Sequence, residues 1–191
     1  MSSTGSLLLA KTASNRRAPA GKRAICKCGT MTRWDKFFKM AFQIFSSAFA
    51  DGGWIPDLYT CQGADVSPSL EWMGEPSETR SFAFVLDDPD APGGAWTHWL
   101  LYDLGAKTHN LAQGYKPGSL GVSGHNSWGK PGYGGPCPPK GQGPHRYFFR
   151  LYALEVPTLG LAAGATREQL QGALKGRVLA EAQSMGRYER K

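Results

Sequence analysis

Two histidines and two aspartates lie where predicted strands begin or end, and these residue types can do chemistry together. Asp88 and Asp90 follow a predicted strand at its end. His98 lies within the next predicted strand, and His145 directly precedes another. Loops gather at the ends of a β-sandwich and often carry functional residues, so we expect these four side chains to lie close to one another.

Three kinds of chemistry suit two imidazoles and two carboxylates. The residue types fit a metal site, but the sequence has no compact motif such as H-E-x-x-H. A His–Asp pair fits acid–base catalysis, but the sequence has no G-x-S-x-G motif and no obvious nucleophile beside the pair. In an anion pocket, carboxylates would fix and charge the imidazoles, which would hold a phosphate or carboxylate with the N–H groups of a Gly-rich loop.

Interpretations without a binding role stay open for the same residues. Asp88 and Asp90 also suit a D-P-D turn that they merely cap, and His98 suits a hydrogen-bonded core position. His109 is expected in an exposed turn, and nothing requires His125 to line a pocket. The neighbouring aromatic residues are interpreted as core or pocket wall rather than as an RNA-stacking platform, which would need interleaved Lys and Arg: Trp96, Trp99, Phe148 and Phe149.

From residue 40 onward the chain consists of short apolar runs separated by glycine and proline, which disfavour helix interiors. This pattern predicts a mostly β fold, an antiparallel sandwich of two sheets. The predicted strands cover residues 42–49, 69–73, 80–86, 96–104 and 146–155, and residues 105–127 and 129–144 are predicted as loops. Strand alternation predicts a shared face for four residues of the fourth strand: Trp96, His98, Leu100 and Tyr102.

The last part of the chain has a different pattern. Thr166 and Gln169 form a capping-box pattern, which predicts a helix N-terminus. Apolar residues at helical spacing follow, and they predict a C-terminal helix packed on a sheet: Leu170, Ala173, Leu174 and Val178.

The charge of the chain is unevenly distributed. The formal net charge is +7, from 22 Lys and Arg against 15 Asp and Glu, and residues 1–39 hold nine of the basic and one of the acidic residues. We therefore predict a disordered basic extension over 1–39 and a folded domain over 40–191. The extension fits an organellar transit peptide, a basic arm for RNA or membrane, a tail without function, or, as we favour, an upstream in-frame translation before a true start at Met40.

Composition excludes several classes of protein. The predicted domain has no excess of positive charge, which argues against a nucleic-acid-binding function. No uncharged apolar run approaches the roughly 20 residues that a membrane-spanning helix needs. A hydrophobic content of 41% with 12% aromatic residues is sufficient for a packed core.

The four cysteines do not have the spacing of a zinc site. Cys26 and Cys28 form an isolated C-x-C pair, whereas Cys61 and Cys137 lie far apart in the predicted domain. Two interpretations stay open: four reduced cysteines in a cytosolic protein, or a disulfide between Cys61 and Cys137.

Three motifs resemble the signatures of the phosphatidylethanolamine-binding protein family: L-D-D-P-D-A-P at residues 86–92, W-T-H-W at 96–99 and G-P-H-R-Y at 143–147. Residues 51–61 and 132–139 resemble the bacterial and archaeal branch in particular, which is usually labelled Raf-kinase-inhibitor-like. The motifs occur in the order typical of the family and span most of the predicted domain. The sequence departs from the eukaryotic members at two points. Residues 93–95 replace a longer insert, and Thr97 stands where a second histidine is common.

The resemblance implies two antiparallel sheets, a C-terminal helix and a small anion pocket that is not an established catalytic centre. Carried over motif by motif, eight residues would form this pocket: Asp88, Asp90, Pro92, Trp96, His98, Pro139, His145 and Tyr147. The two histidines would donate hydrogen bonds and the two aspartates would orient or charge them. Pro92, Trp96 and Tyr147 would form the walls.

We therefore predict a non-enzymatic binding module for a small phosphate-bearing anion, such as a phospholipid head group, without a metal or cofactor. The alternative is an inhibitor of a kinase or serine protease that acts through the rim of the pocket, and a third interpretation is metal-dependent turnover of a phosphoester. We expect a cytoplasmic protein, or an organellar one if residues 1–39 are a transit peptide. A homodimer is compatible with the sequence.

Overall fold

The computed structural model describes residues 41–191, and the predictions made for residues 1–39 and for a start at Met40 lie outside this range. Strands dominate the described residues. In chain order the elements are β1 (Gln43–Phe45), a 3-10 helix (Asp57–Tyr59), β2 (Leu70–Met73), β3 (Ser81–Asp88), β4 (Trp96–Gly105), β5 (Asn110–Leu111), β6 (Val122–Ser123), β7 (His145–Leu154), α1 (Arg167–Leu174) and β8 (Val178–Tyr188).

The strands form two sheets in which every neighbouring pair is antiparallel. The smaller sheet has the order β1-β2-β5, and the larger has the order β6-β4-β3-β7-β8. One hydrophobic cluster contains side chains from both sheets, such as Trp72 of β2 with Phe84 and Trp99 of the larger sheet. A second cluster joins the other face of the larger sheet to Leu170 and Leu174 of α1. The predicted two-sheet antiparallel fold with one helix near the C-terminus is confirmed.

The capping box of α1 is confirmed, but the predicted extent of the helix is wrong at its end. The Thr166 side chain accepts a hydrogen bond from the Gln169 backbone, and the Gln169 side chain accepts one from the Thr166 N–H. Gly176 follows the helix at a φ of +73°, a conformation that glycine adopts easily and that stops helical propagation. Val178, predicted on the helix, therefore begins β8, which pairs along β7 from His145 to Leu154.

Strand β1 is also shorter than predicted, because only residues 43–45 pair with β2. The Ser46 hydroxyl donates to the Ser69 carbonyl and the chain then turns away, so Phe49 reaches the core from a loop. The region predicted as loop over 105–127 contains the short strands β5 and β6. The proline- and glycine-rich segment 129–144 contains no helix or strand.

A β-bulge in β4 corrects the predicted alternation. Leu86 of β3 pairs with Trp99, but the next residue, Asp87, pairs with Thr97, so His98 is the extra residue on β4. A bulge puts two consecutive residues on nearly the same side of the sheet. His98 therefore packs against Tyr147 of the inter-sheet cluster, whereas Leu100 and Tyr102 belong to the cluster under α1.

Cys61 and Cys137 form a disulfide, so the second of the two alternatives for these cysteines is the one observed. The bond joins the segment after the 3-10 helix to the glycine- and proline-rich segment, which has no ladder of its own. Disulfides are more typical of oxidising compartments than of the cytosol, so the cytoplasmic location stays a prediction. Within residues 41–191, none of the helices has the length and apolar character needed to cross a membrane.

Candidate functional site

A small cavity of about 270 Å³ lies where β3 ends and where β4 and β7 begin. Antiparallel pairing of β3 with both neighbours brings the end of β3 to the starts of β4 and β7, so residues far apart in sequence meet there. The cavity is lined by Asp88, Ala91, Pro92, Trp96, His98, Trp128, Cys137, Pro138, Pro139 and His145. Its size suits a group as small as a phosphate better than a drug-sized ligand.

Asp88 and His145 form a buried pair in this cavity. The Oδ2 atom of Asp88 accepts a hydrogen bond of 2.8 Å from Nδ1 of His145, and both side chains are about 95% buried. The Oδ1 atom of Asp88 accepts a hydrogen bond from the backbone N–H of Asp90, which closes the turn after β3. Asp88 therefore both caps this turn and orients the imidazole of His145.

His98 is held by a carbonyl rather than by a carboxylate. Its Nδ1 lies 2.8 Å from the Gly134 carbonyl oxygen, and the Gly134 N–H donates back to the His98 carbonyl. Its ring packs edge-on against Trp128 and Tyr147. Burial of the ring lowers the pKa of His98 below its ordinary value of 6.5, because the charged imidazolium loses its hydration.

The absence of a side chain on Gly134 gives Trp128 room in this arrangement. A Cβ atom placed on Gly134 would lie 2.7 Å from the ring of Trp128, so the ring would have to shift. Glycine at this position therefore lets its carbonyl reach His98 while Trp128 covers it.

Both histidines leave their second nitrogen available. Among the described residues neither Nε2 atom has a hydrogen-bond partner, and neither is completely buried. Nε1 of Trp96 is a further polar atom of the site that is buried without a partner, and the Tyr147 hydroxyl is buried near the carboxylate of Asp88. Burial, together with the nearby charge of Asp88, raises the pKa of the Tyr147 hydroxyl well above its ordinary range, so this residue remains neutral.

Asp90 lies outside the wall of the cavity and is engaged by Arg146. The guanidinium donates to both carboxylate oxygens at 2.9 and 2.7 Å, and the Arg146 backbone N–H also donates to Oδ2. This pairing holds the pKa of Asp90 at about 2. The expected role of Asp90 in orienting a histidine is thus not seen, because its carboxylate binds Arg146 instead.

The structure therefore brings six of the eight predicted pocket residues into one wall: Asp88, Pro92, Trp96, His98, Pro139 and His145. Tyr147 lies behind His98, and Asp90 lies in the adjoining turn. Ligand binding by these residues stays a prediction. His109 is half exposed and lies near Glu75, and His125 lines a different cavity beside the start of α1.

The sequence reasoning missed Trp128 and the carbonyl of Gly134. Trp128 stands in a predicted loop with no periodicity, and it is 44% exposed, which a hydrophobic pattern cannot indicate. The backbone carbonyl of a glycine leaves no signal in residue type. The double-glycine segment at 134–135 gave the one available indication, since adjacent glycines often mark a close approach of the backbone.

The metal interpretation receives no support from the described residues, because none of their His, Cys, Asp and Glu side chains form a group of three or more that could hold an ion. Asp88 and His145 form only a pair, and Nδ1 of His98 faces a carbonyl.

Relatives of known sequence share most of this chain. A UPF0098 protein of Aquifex aeolicus is 45% identical over 151 residues, which cover 78% of this chain and 88% of the relative. A UPF0098 protein of Methanothermobacter thermautotrophicus is 46% identical over 75% of this chain and 95% of its own. A Mycobacterium tuberculosis relative with the provisional name lipoprotein LppC is 42% identical over 76% of this chain and 71% of its own.

Two solved structures have the same fold. The Chlamydia trachomatis protein CT736, described as a homologue of phosphatidylethanolamine-binding protein, aligns with a TM-score of 0.73 at 41% identity over 79% of this chain and 99% of its own. Escherichia coli YbcL, described as a new member of the mammalian PEBP family, aligns with a TM-score of 0.73 at 33% identity over 78% and 99%. The phosphatidylethanolamine-binding protein family profile matches residues 45–189. Together with the fold and the cavity, these matches show that the chain belongs to the phosphatidylethanolamine-binding protein family.

Proposed function

We propose that the cavity binds a small phosphate-bearing anion and that the protein is a binding module rather than an enzyme. The observation that carries this proposal is the pair of Nε2 atoms, on His98 and His145, that are left free at one small cavity. Each ring is fixed through Nδ1, so little conformational freedom is lost when Nε2 meets a ligand oxygen.

Charge and shape support an anionic ligand of limited size. A proton on His145 would be balanced by Asp88, and the resulting imidazolium would donate a charge-assisted hydrogen bond, which contributes about 1.5 to 3 kcal/mol. Proline and tryptophan side chains form the remaining walls and exclude water around the bound group. A single charged contact of this size gives only weak binding of bare phosphate.

The lining residues support binding rather than catalysis. Among the residues that line the cavity, none offers a free thiol, an aliphatic hydroxyl or an amine, since Cys137 is in the disulfide. The pKa of Tyr147 is raised, so its phenol is a poor nucleophile or base. The cavity thus lacks the hydroxyl, thiol and amine nucleophiles of the commonest covalent mechanisms, and its His–Asp pair is arranged to orient and bind a ligand.

Calorimetric titration of the full chain with phosphorylethanolamine tests the proposal. We expect saturable binding at one site that is lost in His98→Ala and in His145→Ala. The matched control is His109→Ala, which removes a half-exposed histidine near Glu75 and should leave the affinity unchanged. Unchanged affinity in both cavity variants, with circular dichroism showing a folded protein, would overturn the proposal.

Inhibition of a kinase or protease is the second candidate, and exposed Trp128 at the cavity wall favours it. Tryptophan is enriched among residues that dominate protein–protein binding energy. This candidate predicts a complex with a protein partner that is weakened by Trp128→Ala and is insensitive to free phosphate. Competition by millimolar phosphate would instead place the partner in the anion cavity.

A further inference from the structure

The hydrogen bonds of the two cavity histidines determine which nitrogen of each ring carries a proton. The Gly134 carbonyl can only accept a hydrogen bond, so Nδ1 of His98 must be the donor. Oδ2 of Asp88 likewise accepts, so Nδ1 of His145 is the donor. A neutral imidazole carries one proton, so each neutral ring presents a lone pair at Nε2 and cannot donate to an anion from that atom.

The two rings differ in the group that lies behind them. Behind His145 is the carboxylate of Asp88, itself about 96% buried, and a proton on Nε2 of His145 would balance that charge. Behind His98 is a neutral carbonyl, and the ring is edge-on to Trp128 and Tyr147.

The charged groups that act on His98 are few. The carboxylates of Asp88 and Asp87 favour its protonated form, but burial outweighs both and lowers the pKa of the ring. The neutral phenol of Tyr147 adds no charge. His98 therefore remains neutral near pH 7 and offers a lone pair at Nε2, whereas only His145 has a carboxylate hydrogen-bonded to its ring.

We propose that the cavity selects the monoanion of a phosphomonoester over a phosphodiester or a sulfate ester, an inference that rests on the anion site proposed above. One phosphate oxygen accepts a hydrogen bond from protonated His145, and the acidic P–OH group donates to Nε2 of His98. No covalent bond forms or breaks. The shared proton lies between the phosphate oxygen and Nε2 of His98, and the ligand brings it.

A comparison of three ligands separates the effect of this proton on affinity from the effects of ligand charge and size. Phenyl phosphate as its monoanion, phenyl sulfate and methyl phenyl phosphate each carry one negative charge, but only the first has an acidic O–H. The other two place an oxygen lone pair against the lone pair of His98. A site that hydrogen-bonds a ligand hydroxyl rejects analogues that lack it, and for this partly open cavity we expect a preference of at least about tenfold.

The ligand's own ionisation adds a second signature. Phosphate esters lose their second proton at a pKa of about 6, so the monoanion becomes scarce as the pH rises. Above that pH the ionisation of the ligand alone should lower the affinity for phenyl phosphate by up to about tenfold per pH unit, in addition to any loss from deprotonation of the protein, with proton uptake on binding. Phenyl sulfate does not titrate in this range, so its weak binding follows only the protonation of the protein.

The experiment is calorimetry on the full chain with these three ligands at pH 6 and pH 8, in two buffers of different ionisation enthalpy. His98→Gln is the informative variant, because its amide offers both a donor and an acceptor near the position of Nε2. We expect it to lose most of the preference for phenyl phosphate over phenyl sulfate. His109→Gln is the matched control and should keep the full preference.

The outcomes distinguish this inference from the proposed function. Equal affinities for all three ligands, with binding lost in His145→Ala, would overturn the selection and leave the anion site intact. No binding of any of the three by the wild-type chain would overturn both. A preference that persists undiminished in His98→Gln would show that His98 is not its source and would also overturn the inference.

Discussion

Asp87 and Asp88 are neighbours at the end of β3, and both are at least 97% buried, yet they belong to different parts of the molecule. Alternation along the strand points them to opposite faces of the larger sheet. Asp87 faces the side covered by α1, where Arg167 of that helix reaches it. Asp88 faces the cavity, where it binds His145. Their difference shows what distinguishes a carboxylate inside a closed ion-pair cluster from one at the candidate site.

The partners of Asp87 consume its whole capacity for hydrogen bonding. The Thr97 hydroxyl donates to Oδ1 at 2.9 Å, Arg167 donates at 2.8 Å from a terminal nitrogen, and Arg150 donates at 3.3 Å. Two guanidinium groups balance one carboxylate, and Arg150 also stacks over Phe148. Nothing in this cluster is left that requires a ligand.

Asp88 has a partner whose own capacity is incomplete. His145 uses Nδ1 for the carboxylate and keeps Nε2 without a protein partner among the described residues. Burial and charge are therefore alike in the two aspartates. The two aspartates differ in their hydrogen-bond partners. The partner of Asp88 still has a polar atom without a hydrogen bond at a cavity.

The largest effect is expected from Asp87→Asn. This substitution leaves Arg150 and Arg167 without their buried counter-charge, and breaking such a pair on one side costs about 3 kcal/mol of unfolding free energy. Urea unfolding measures this loss, and phosphate binding should persist at temperatures where the variant is folded. A variant that loses anion binding but keeps its stability would reverse the assignment of the two aspartates.

Asp88→Asn should affect binding more than folding. An amide cannot balance a proton on His145, so we expect the affinity for phosphorylethanolamine to fall by at least about tenfold, equivalent to about 1.4 kcal/mol. The amide oxygen that this substitution introduces can still accept from the N–H of residue 90, so the stability loss should remain below that of Asp87→Asn. Parallel calorimetry and urea unfolding of the two variants provide the comparison, and similar profiles would contradict it.

The sequence is sufficient to predict the elements that position the cavity. The strands around residues 80–86, 96–104 and 146–155 have apolar or aromatic runs bounded by strong turn signals, and β3, β4 and β7 lie there. β8 could not be predicted in the same way. Its buried positions include Ala182, Ser184 and Gly186, which are small or polar, so the alternation is invisible to a hydrophobic pattern.

Most residues that line the candidate cavity were predictable from the motifs, but their pairing was not. The motifs identify Asp88, His98 and His145, but strict alternation gives no sign of the bulge that turns His98 toward Tyr147. Asp90 is equally prominent in the sequence, and only the structure shows that its carboxylate is hydrogen-bonded to Arg146. Bulges and ion pairs depend on strands that are distant in sequence, so a local pattern cannot supply them.

The pH dependence of stability also separates the two regions, because burial of His98 at the cavity should destabilise the folded protein below neutral pH. The pKa of His98 is lower in the folded chain than its ordinary value of 6.5, so the unfolded chain binds more protons below that pH. Stability should therefore fall as the pH drops below 6.5, by up to about 1.4 kcal/mol per pH unit until the native ring also protonates. Urea unfolding between about pH 7.5 and 5.5 should show a smaller decline in His98→Asn than in wild type. An identical dependence of stability on pH in the two proteins would mean that His98 does not cause the loss of stability in acid.

The smallest effect on stability is expected for substitution of Asp90. The same variant tests whether this third aspartate contributes to the fold or to ligand binding. Its pKa of about 2 lies below the ordinary 3.8, so the pair with Arg146 stabilises the fold above pH 3.8, and this contribution is lost as the pH falls through about 2. Arg146 is half exposed, so solvent screening keeps this contribution small. Asp90→Asn should thus be slightly less stable than wild type at about pH 5, and the two should converge near pH 2 in acid unfolding followed by circular dichroism.

The affinity of Asp90→Asn for phosphorylethanolamine should change less than that of Asp88→Asn. A loss as large as in Asp88→Asn would instead place Asp90 among the binding residues, as the motif resemblance implies, because its carboxylate would then act on the ligand despite its pairing with Arg146.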